Sequence, residues 1–211
     1  MTSGYSHPKY RRFRFDAGSL SLNFVATVRH RGAEPRDLLT SPAALRKWLH
    51  LAGFFPIDTS PSQNEYEEAV LLRESIHAAI QSIILDAQPE SGDIARINQA
   101  SAFPPAIPQL HAAAASVTWE TDNPVKACLA DIARDAITIM TGAERNRLKR
   151  CKSGGCQMLF LDNSPSNRRR WCAMSICGNR EKIRSHRQRK QLQSHDDQTG
   201  AKIRNCSKEA P

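Results

Sequence analysis

Residues 151–177 read CKSGGCQMLFLDNSPSNRRRWCAMSIC, which sets four cysteines in two pairs of equal gap. Cys151, Cys156, Cys172 and Cys177 follow the pattern C-x4-C-x15-C-x4-C. Four thiolates suit zinc, which takes tetrahedral sulfur coordination and, in structural sites, fills all four positions with protein ligands. A gap of four is wider than the commonest gap of about two residues. "KSGG" suits a tight turn, since glycine accepts backbone angles that bulkier residues resist. Between the pairs, "MLFL" reads as a short strand, "DNSPSN" as a turn and "RRRW" as a second strand returning to Cys172. After Cys177, "GNREKIRSHRQRKQ" lacks proline and reads as a helix. Half-site, hairpin, second half-site and helix together form a treble-clef or ribbon-like four-cysteine zinc finger with a structural Zn2+. A four-thiolate iron–sulfur cluster is the other metal reading. Very basic surroundings and the lack of a redox-partner motif weigh against it. A disulfide pair would suit a secreted chain, and secretion is not expected from the polar, basic stretch "MTSGYSHPKYRRFRF".

The charge of the chain sits around this cysteine cluster. Residues 1–144 hold 13 Lys+Arg and 16 Asp+Glu, whereas residues 145–190 hold 14 Lys+Arg and only Asp162 and Glu181 as acids. The remaining 21 residues balance at three of each sign. A net +12 within 46 residues points to a polyanionic partner. Arginine predominates, and its planar fork binds phosphate and guanine edges in a bidentate way that lysine does not. The candidate nucleic-acid contacts are Arg168, Arg169 and Arg170 before Cys172, then Asn179, Arg180, Arg184 and Arg187 after Cys177. Only Phe160 and Trp171 are available for base stacking here, which favours duplex DNA over single strands or RNA. Trp171 reads better as a packing anchor than as a stacking platform.

Upstream, the pattern is mostly α with a small β element. "FRFDAGSLSLNFVATV" alternates apolar and polar residues and predicts a hairpin or two short strands. Ser41, Pro42 and Gly53 delimit a helix in "TSPAALRKWLHLAG". Ser62 and Glu65 stand in capping-box spacing before a long helix whose Leu72, Ile76, Ala79, Ile80 and Ile83 share a face. A shorter helix follows in "SGDIARINQASA". Residues 103–120, with three prolines, read as irregular and end in a strand near Val117 and Trp119. Asn123, Pro124 and Gly142 bracket a last helix, in which Cys128 reads as a small buried apolar residue. The domains expected are a helical sensing or dimerisation domain over 13–142, the finger over 145–190, and a disordered tail over 191–211. The first 12 residues read as a flexible lead-in, and Cys206 in the tail as incidental.

The finger resembles the CGNR zinc-finger family through Cys177-Gly178-Asn179-Arg180, "C-x4-C-x-x-L-F-x-D" and "R-R-W-C". The preceding segments "LSLNFVATV" and "DLLTSPAALRKWLHLAGF" resemble the ABATE domain, a partner of this finger associated with stress-induced transcription regulation. Together the resemblance covers about residues 15–190. It implies a bacterial transcriptional regulator, with Cys151, Cys156, Cys172 and Cys177 as zinc ligands. The ABATE pattern L-D-F-x-N-T departs at Asn23 and Ala26, so any effector contact made there in relatives is altered here.

The function expected is a DNA-binding transcriptional regulator, with an RNA- or ribosome-associated zinc-binding accessory protein as the alternative. No HExxH, GxSxG or P-loop is present, and the seven histidines are scattered, so no enzymatic activity is expected. No apolar run reaches the roughly 20 residues of a membrane helix; the chain is expected in the cytoplasm, associated with the nucleoid. A homodimer reading paired half-sites is expected, as is a small-molecule effector in the N-terminal domain. Trp48, Trp119 and Phe24 could line its pocket but read first as core.

Overall fold

The computed structural model describes residues 12–112 and 116–190. The lead-in up to residue 11, the tail from residue 191 and Cys206 lie outside them. The elements run α1 (Leu20–Val25), β1 (Val28–Arg29), β2 (Arg36–Asp37), α2 (Pro42–Leu51), α3 (Gln63–Ile84), α4 (Ser91–Ser101), β3 (Ile107–His111) and β4 (Ser116–Glu120). There follow α5 (Pro124–Thr141), a 3-10 turn (Ala143–Arg147), β5 (Leu148–Arg150), β6 (Leu159–Leu161), a π turn (Met174–Gly178) and α6 (179–190). The chain divides into two compact units on either side of the bond between residues 172 and 173.

In the first unit α1, α3, α4 and α5 pack on one another. The capping box of α3 forms as its sequence predicts: Ser62 Oγ accepts from Glu65 N and Glu65 Oε2 accepts from Ser62 N. Asn123 caps α5 by accepting from Lys126 N, and its amide donates to Glu65 Oε1 at 2.6 Å, so the two helix starts brace each other. Four alanines of α5, Ala127, Ala130, Ala133 and Ala136, are fully buried and let the neighbouring helices approach closely. On α3, which packs against α5, Leu72, Ile76 and Ile80 are buried too, each contributing about 2 kcal/mol on burial. Trp48 is fully enclosed against Phe24, ring centroids 4.9 Å apart. Neither ring leaves surface for a ligand.

Three expectations are corrected by these elements. The alternating stretch "LSLNFV" forms α1 rather than strands. Ser19 caps it, and Ser21 is buried because its N–H and hydroxyl both donate to Asp135. With Ser21 inside beside Leu22, Phe24 and Val25, the true period is helical. Next, Ile107–His111 and Ser116–Glu120 pair as antiparallel strands, where an irregular run ending in one strand is expected. Pro108 is tolerated opposite Trp119 because an edge strand loses no ladder bond to it. Finally, the strand partner of β6 is β5, in antiparallel register Leu148↔Leu161, and not the "RRRW" segment. The β5–β6 pair lies against α3, and β6 also against α1.

Gly18 explains part of that seat. Its φ of +102° is a left-handed conformation, and a Cβ there would meet Leu161 Cβ at 2.8 Å. Leu161 N donates to Ala17 O at 2.7 Å, so residues 17–18 lie directly along β6.

A charged cluster holds α3 to the β1–β2 region. Arg73, 2% exposed, binds Asp37 through two 2.7 Å bonds and donates to Glu74 and Thr27. Glu74 also accepts from both terminal nitrogens of Arg31. Beside them, burial first and then the Arg31 and Arg73 charges hold His77 down at about 4. The unfolded chain therefore takes up a proton near pH 6.5 that the folded chain refuses until about pH 4. This contribution to stability is complete above about pH 6.5 and is lost as pH falls toward 4, by at most about 1.4 kcal/mol per unit. A thermal-melting series in this range is expected to show a flatter profile for His77→Gln. Identical slopes in wild type and variant would contradict this.

Candidate metal centre and nucleic-acid interface

Cys151, Cys156, Cys172 and Cys177 are all buried, and their sulfur atoms lie within 4.8 Å of one another. Each is placed by backbone. Cys151 N donates to Met158 O at 2.9 Å, directly after β5, and Cys156 N donates to Ser153 O to close the "KSGG" turn. The left-handed residue here is Gln157, φ 49°, rather than either glycine of the turn. Lys152 N donates to Arg170 O, drawing the 168–170 segment up to the first pair. Cys177 lies in the π turn, with its N–H on Ala173 O. Single π turns of this kind are rare overall and are frequent at functional sites.

The donor set fits a tetrahedral ion. Sulfurs about 2.3 Å from a central zinc stand about 3.8 Å apart, and Cys156 Sγ to Cys172 Sγ is 3.8 Å. That is far beyond a disulfide length of about 2.05 Å. Cys128 takes no part: it is buried in α5, where burial pushes its thiol up to about 12.

The interior of this region is ordered by Asp162, which is fully buried. Its carboxylate accepts from Lys149 Nζ at 2.7 Å, Arg169 N at 2.8 Å, and Ser164 N and Oγ. Burial opposes the charge, but these donors prevail and hold the carboxyl well below the usual carboxylate range. Phe160, also fully buried, carries the Arg169 guanidinium over its ring at 5.0 Å.

The cationic side chains divide by what they touch. Arg169 is half-buried on Phe160 and donates to Cys172 O, which ties it to the scaffold. Arg168 and Arg170 are exposed; Arg170 also lies over the half-buried Trp171 ring at 5.2 Å. A cleft of about 690 Å3 opens between β5 and residues 168–170, lined by Arg150, Lys152, Arg168 and Arg170 together with Ile84 and Leu85. In the second unit, Arg180, Arg184 and Arg187 share one groove of α6 with Ile183. Their spacing of four and three residues is that of a single helical face. Asn179 is exposed and helical, with its amide on Ser175 O at 3.3 Å.

The ABATE family model, described as "Putative stress-induced transcription regulator", matches residues 18–143. The chain belongs to the ABATE family. A CGNR zinc-finger model matches residues 147–190, so the two follow in the order that the motifs imply. No curated protein matches the chain. Among the described residues, no helix is long and apolar enough to cross a membrane.

In this ABATE chain the two positions that depart from the family pattern serve packing. Asn23 Oδ1 accepts from Ala17 N at 2.9 Å, and Ala26 is buried at the end of α1. Sequence reasoning misses Asp162, although it is the acid of the "L-F-x-D" motif. Its signal is present: one of only two acids among 14 cations. Arg150 and Lys152 are missed as well, because only the fold sets them across a cleft from Arg168 and Arg170.

Proposed function

We propose that this protein is a DNA-binding transcriptional regulator whose CGNR finger is held together by one structural zinc ion on Cys151, Cys156, Cys172 and Cys177. The supporting observation is the four-sulfur cluster beside a cleft lined by Arg150, Lys152, Arg168 and Arg170. Zinc supplies folding energy to a unit too small to bury much apolar surface, and stiffens the chain that carries the cations. Arg168 and Arg170, with Arg150 and Lys152, neutralise backbone phosphates; Arg169 positions the segment rather than the ligand. Arg180, Arg184 and Arg187 present a second cationic face, and Asn179 at its start is the candidate for an adenine edge. No catalytic step is assigned to the chain. The ABATE domain supplies dimer contacts and an effector site; the cavity of about 570 Å3 among α3, α4 and α5, floored by Leu72 and Leu129, is the place proposed for the effector.

The test is selection of bound sequences from a random duplex pool with the zinc-loaded full chain, followed by affinity measurements over a salt series. The expected result is an enriched, paired motif and an affinity that falls linearly in log–log form, about 0.9 per phosphate neutralised. Arg168→Ala and Arg170→Ala are each expected to reduce that slope by about 1 without changing the motif. Absence of duplex binding at low salt overturns the reading, and preference for structured RNA in competition replaces it with an RNA-binding accessory role.

A further inference from the structure

The wall of the sulfur cluster is built in part by residues from far upstream. Arg14, 8% exposed, points Nη1 at Cys172 Sγ at 3.5 Å, across 158 residues of sequence. Its other nitrogens are fixed by Asp16: Nε donates to Oδ1 at 2.6 Å and Nη2 to Oδ2. Arg29 on β1 is 5% exposed, and its Nη1 has no hydrogen-bond partner among the described residues. The charges that act on Arg29 are Arg14, Cys156, Cys172 and Asp16. Two buried guanidiniums thus repel each other, and the carboxylate of Asp16 is bonded to Arg14.

That arrangement is costly unless a second anion is present. Four neutral thiols do not supply it. A divalent ion on four thiolates does, since the centre then carries two negative charges spread over its sulfurs. An N–H aimed at a ligating sulfur is also the usual way in which an outer shell orients a thiolate and tunes its basicity.

We propose that Arg14 and Arg29 are the outer shell of the metal centre, so that the N-terminal domain completes the site and metal occupancy and domain stability are thermodynamically linked. The linkage is reciprocal. Metal removal leaves two buried cations with the carboxylate of Asp16 but without the charge of the thiolate centre, and destabilises residues 12–29. Conversely, any contact that draws residues 12–16 away from Cys172 weakens metal binding by the same factor. Arg14 and Arg29 are positioning residues: the four cysteines hold the ion, and the arginines set how firmly it is held. This rests on the zinc reading above but not on nucleic-acid binding.

The experiment is competition for zinc between a chromogenic chelator and the full chain, paired with the sulfur-to-metal absorption bands of the cobalt-substituted protein. Arg14→Gln and Arg29→Gln are each expected to weaken zinc binding about 10- to 100-fold. Arg14→Gln is also expected to shift the cobalt bands, and Arg14→Lys, which keeps the charge, to restore most of the affinity. Wild-type affinity in both glutamine variants overturns the proposal, as does an Arg14→Lys variant as weak as Arg14→Gln. If the glutamine variants fail to fold, Asp16→Asn decides: it frees the Arg14 guanidinium, so a several-fold change in zinc affinity with shifted cobalt bands supports the outer shell, and no change in either overturns it. Failure of wild type to hold zinc at all would instead sink the metal reading beneath it.

Discussion

Replacing Cys172 with Ser is expected to empty the metal centre and unfold residues 148–178 while the α3–α5 core stays folded. Ligand loss has this reach because structural zinc contributes about 10–16 kcal/mol in finger-sized units, more than the small apolar interior there can replace. That interior is little more than Met158, Leu159, Phe160 and Leu161. Cys172 is also the sulfur that Arg14 addresses, so the serine variant takes from a buried guanidinium its sulfur partner and leaves it only Asp16. Hydrogen exchange gives the readout by segment. Amides of β5, β6 and the Cys156 turn are expected to lose protection, residues 12–29 to lose part of theirs, and α3 and α5 to keep theirs. Nucleic-acid affinity is expected to fall to the level of the metal-free protein. Full protection of β5 and β6 in the variant would mean that the finger folds without its metal.

The second large effect is expected at Asp162. Asp162→Ala leaves the Lys149 ammonium, the Arg169 N–H and both Ser164 donors around an apolar gap. Removing one member of a buried ion pair costs about 3–5 kcal/mol, and here the neutral donors are orphaned too. Chemical denaturation of the zinc-loaded protein is the measurement, and a loss under about 1 kcal/mol would show that water replaces the carboxylate at no penalty. The pH dependence has a definite sign. A carboxyl held below its ordinary value stabilises the fold fully above the unfolded value of about 3.9, and that contribution is lost as pH falls through the folded one. Asp162→Ala is thus expected to lose less stability than wild type on acidification below about pH 4.

Much of this is legible in the residues alone. Caps and stops locate α2, α3 and α5, because Ser41, Ser62, Asn123 and Pro124 act on their own neighbours and need no tertiary partner. The cysteine spacing locates the four-sulfur cluster for a similar reason: each pair is brought together by a tight local turn. What escapes is non-local. Ser21 looks polar until Asp135, 114 residues away, satisfies it and turns an alternating strand pattern into a helix. Sequence proximity pairs β6 with "RRRW", the next segment along, whereas its partner β5 lies before the first cysteine pair. Arg14 and Arg29 lie in a stretch of ordinary charge, and only the chain path along Leu161 carries Arg14 to a sulfur. The division of labour among the arginines is likewise invisible in sequence. Arg168, Arg169 and Arg170 are identical letters, but the middle one alone rests on Phe160 and Cys172 O.

The decisive measurement is the metal content of the purified full chain, with free-thiol titration before and after chelation. One zinc per chain is predicted, shielding four thiols that become reactive once the metal is stripped, alongside loss of protection in β5 and β6. A well-folded protein that carries no tightly held metal, with those four thiols equally reactive throughout, would contradict it.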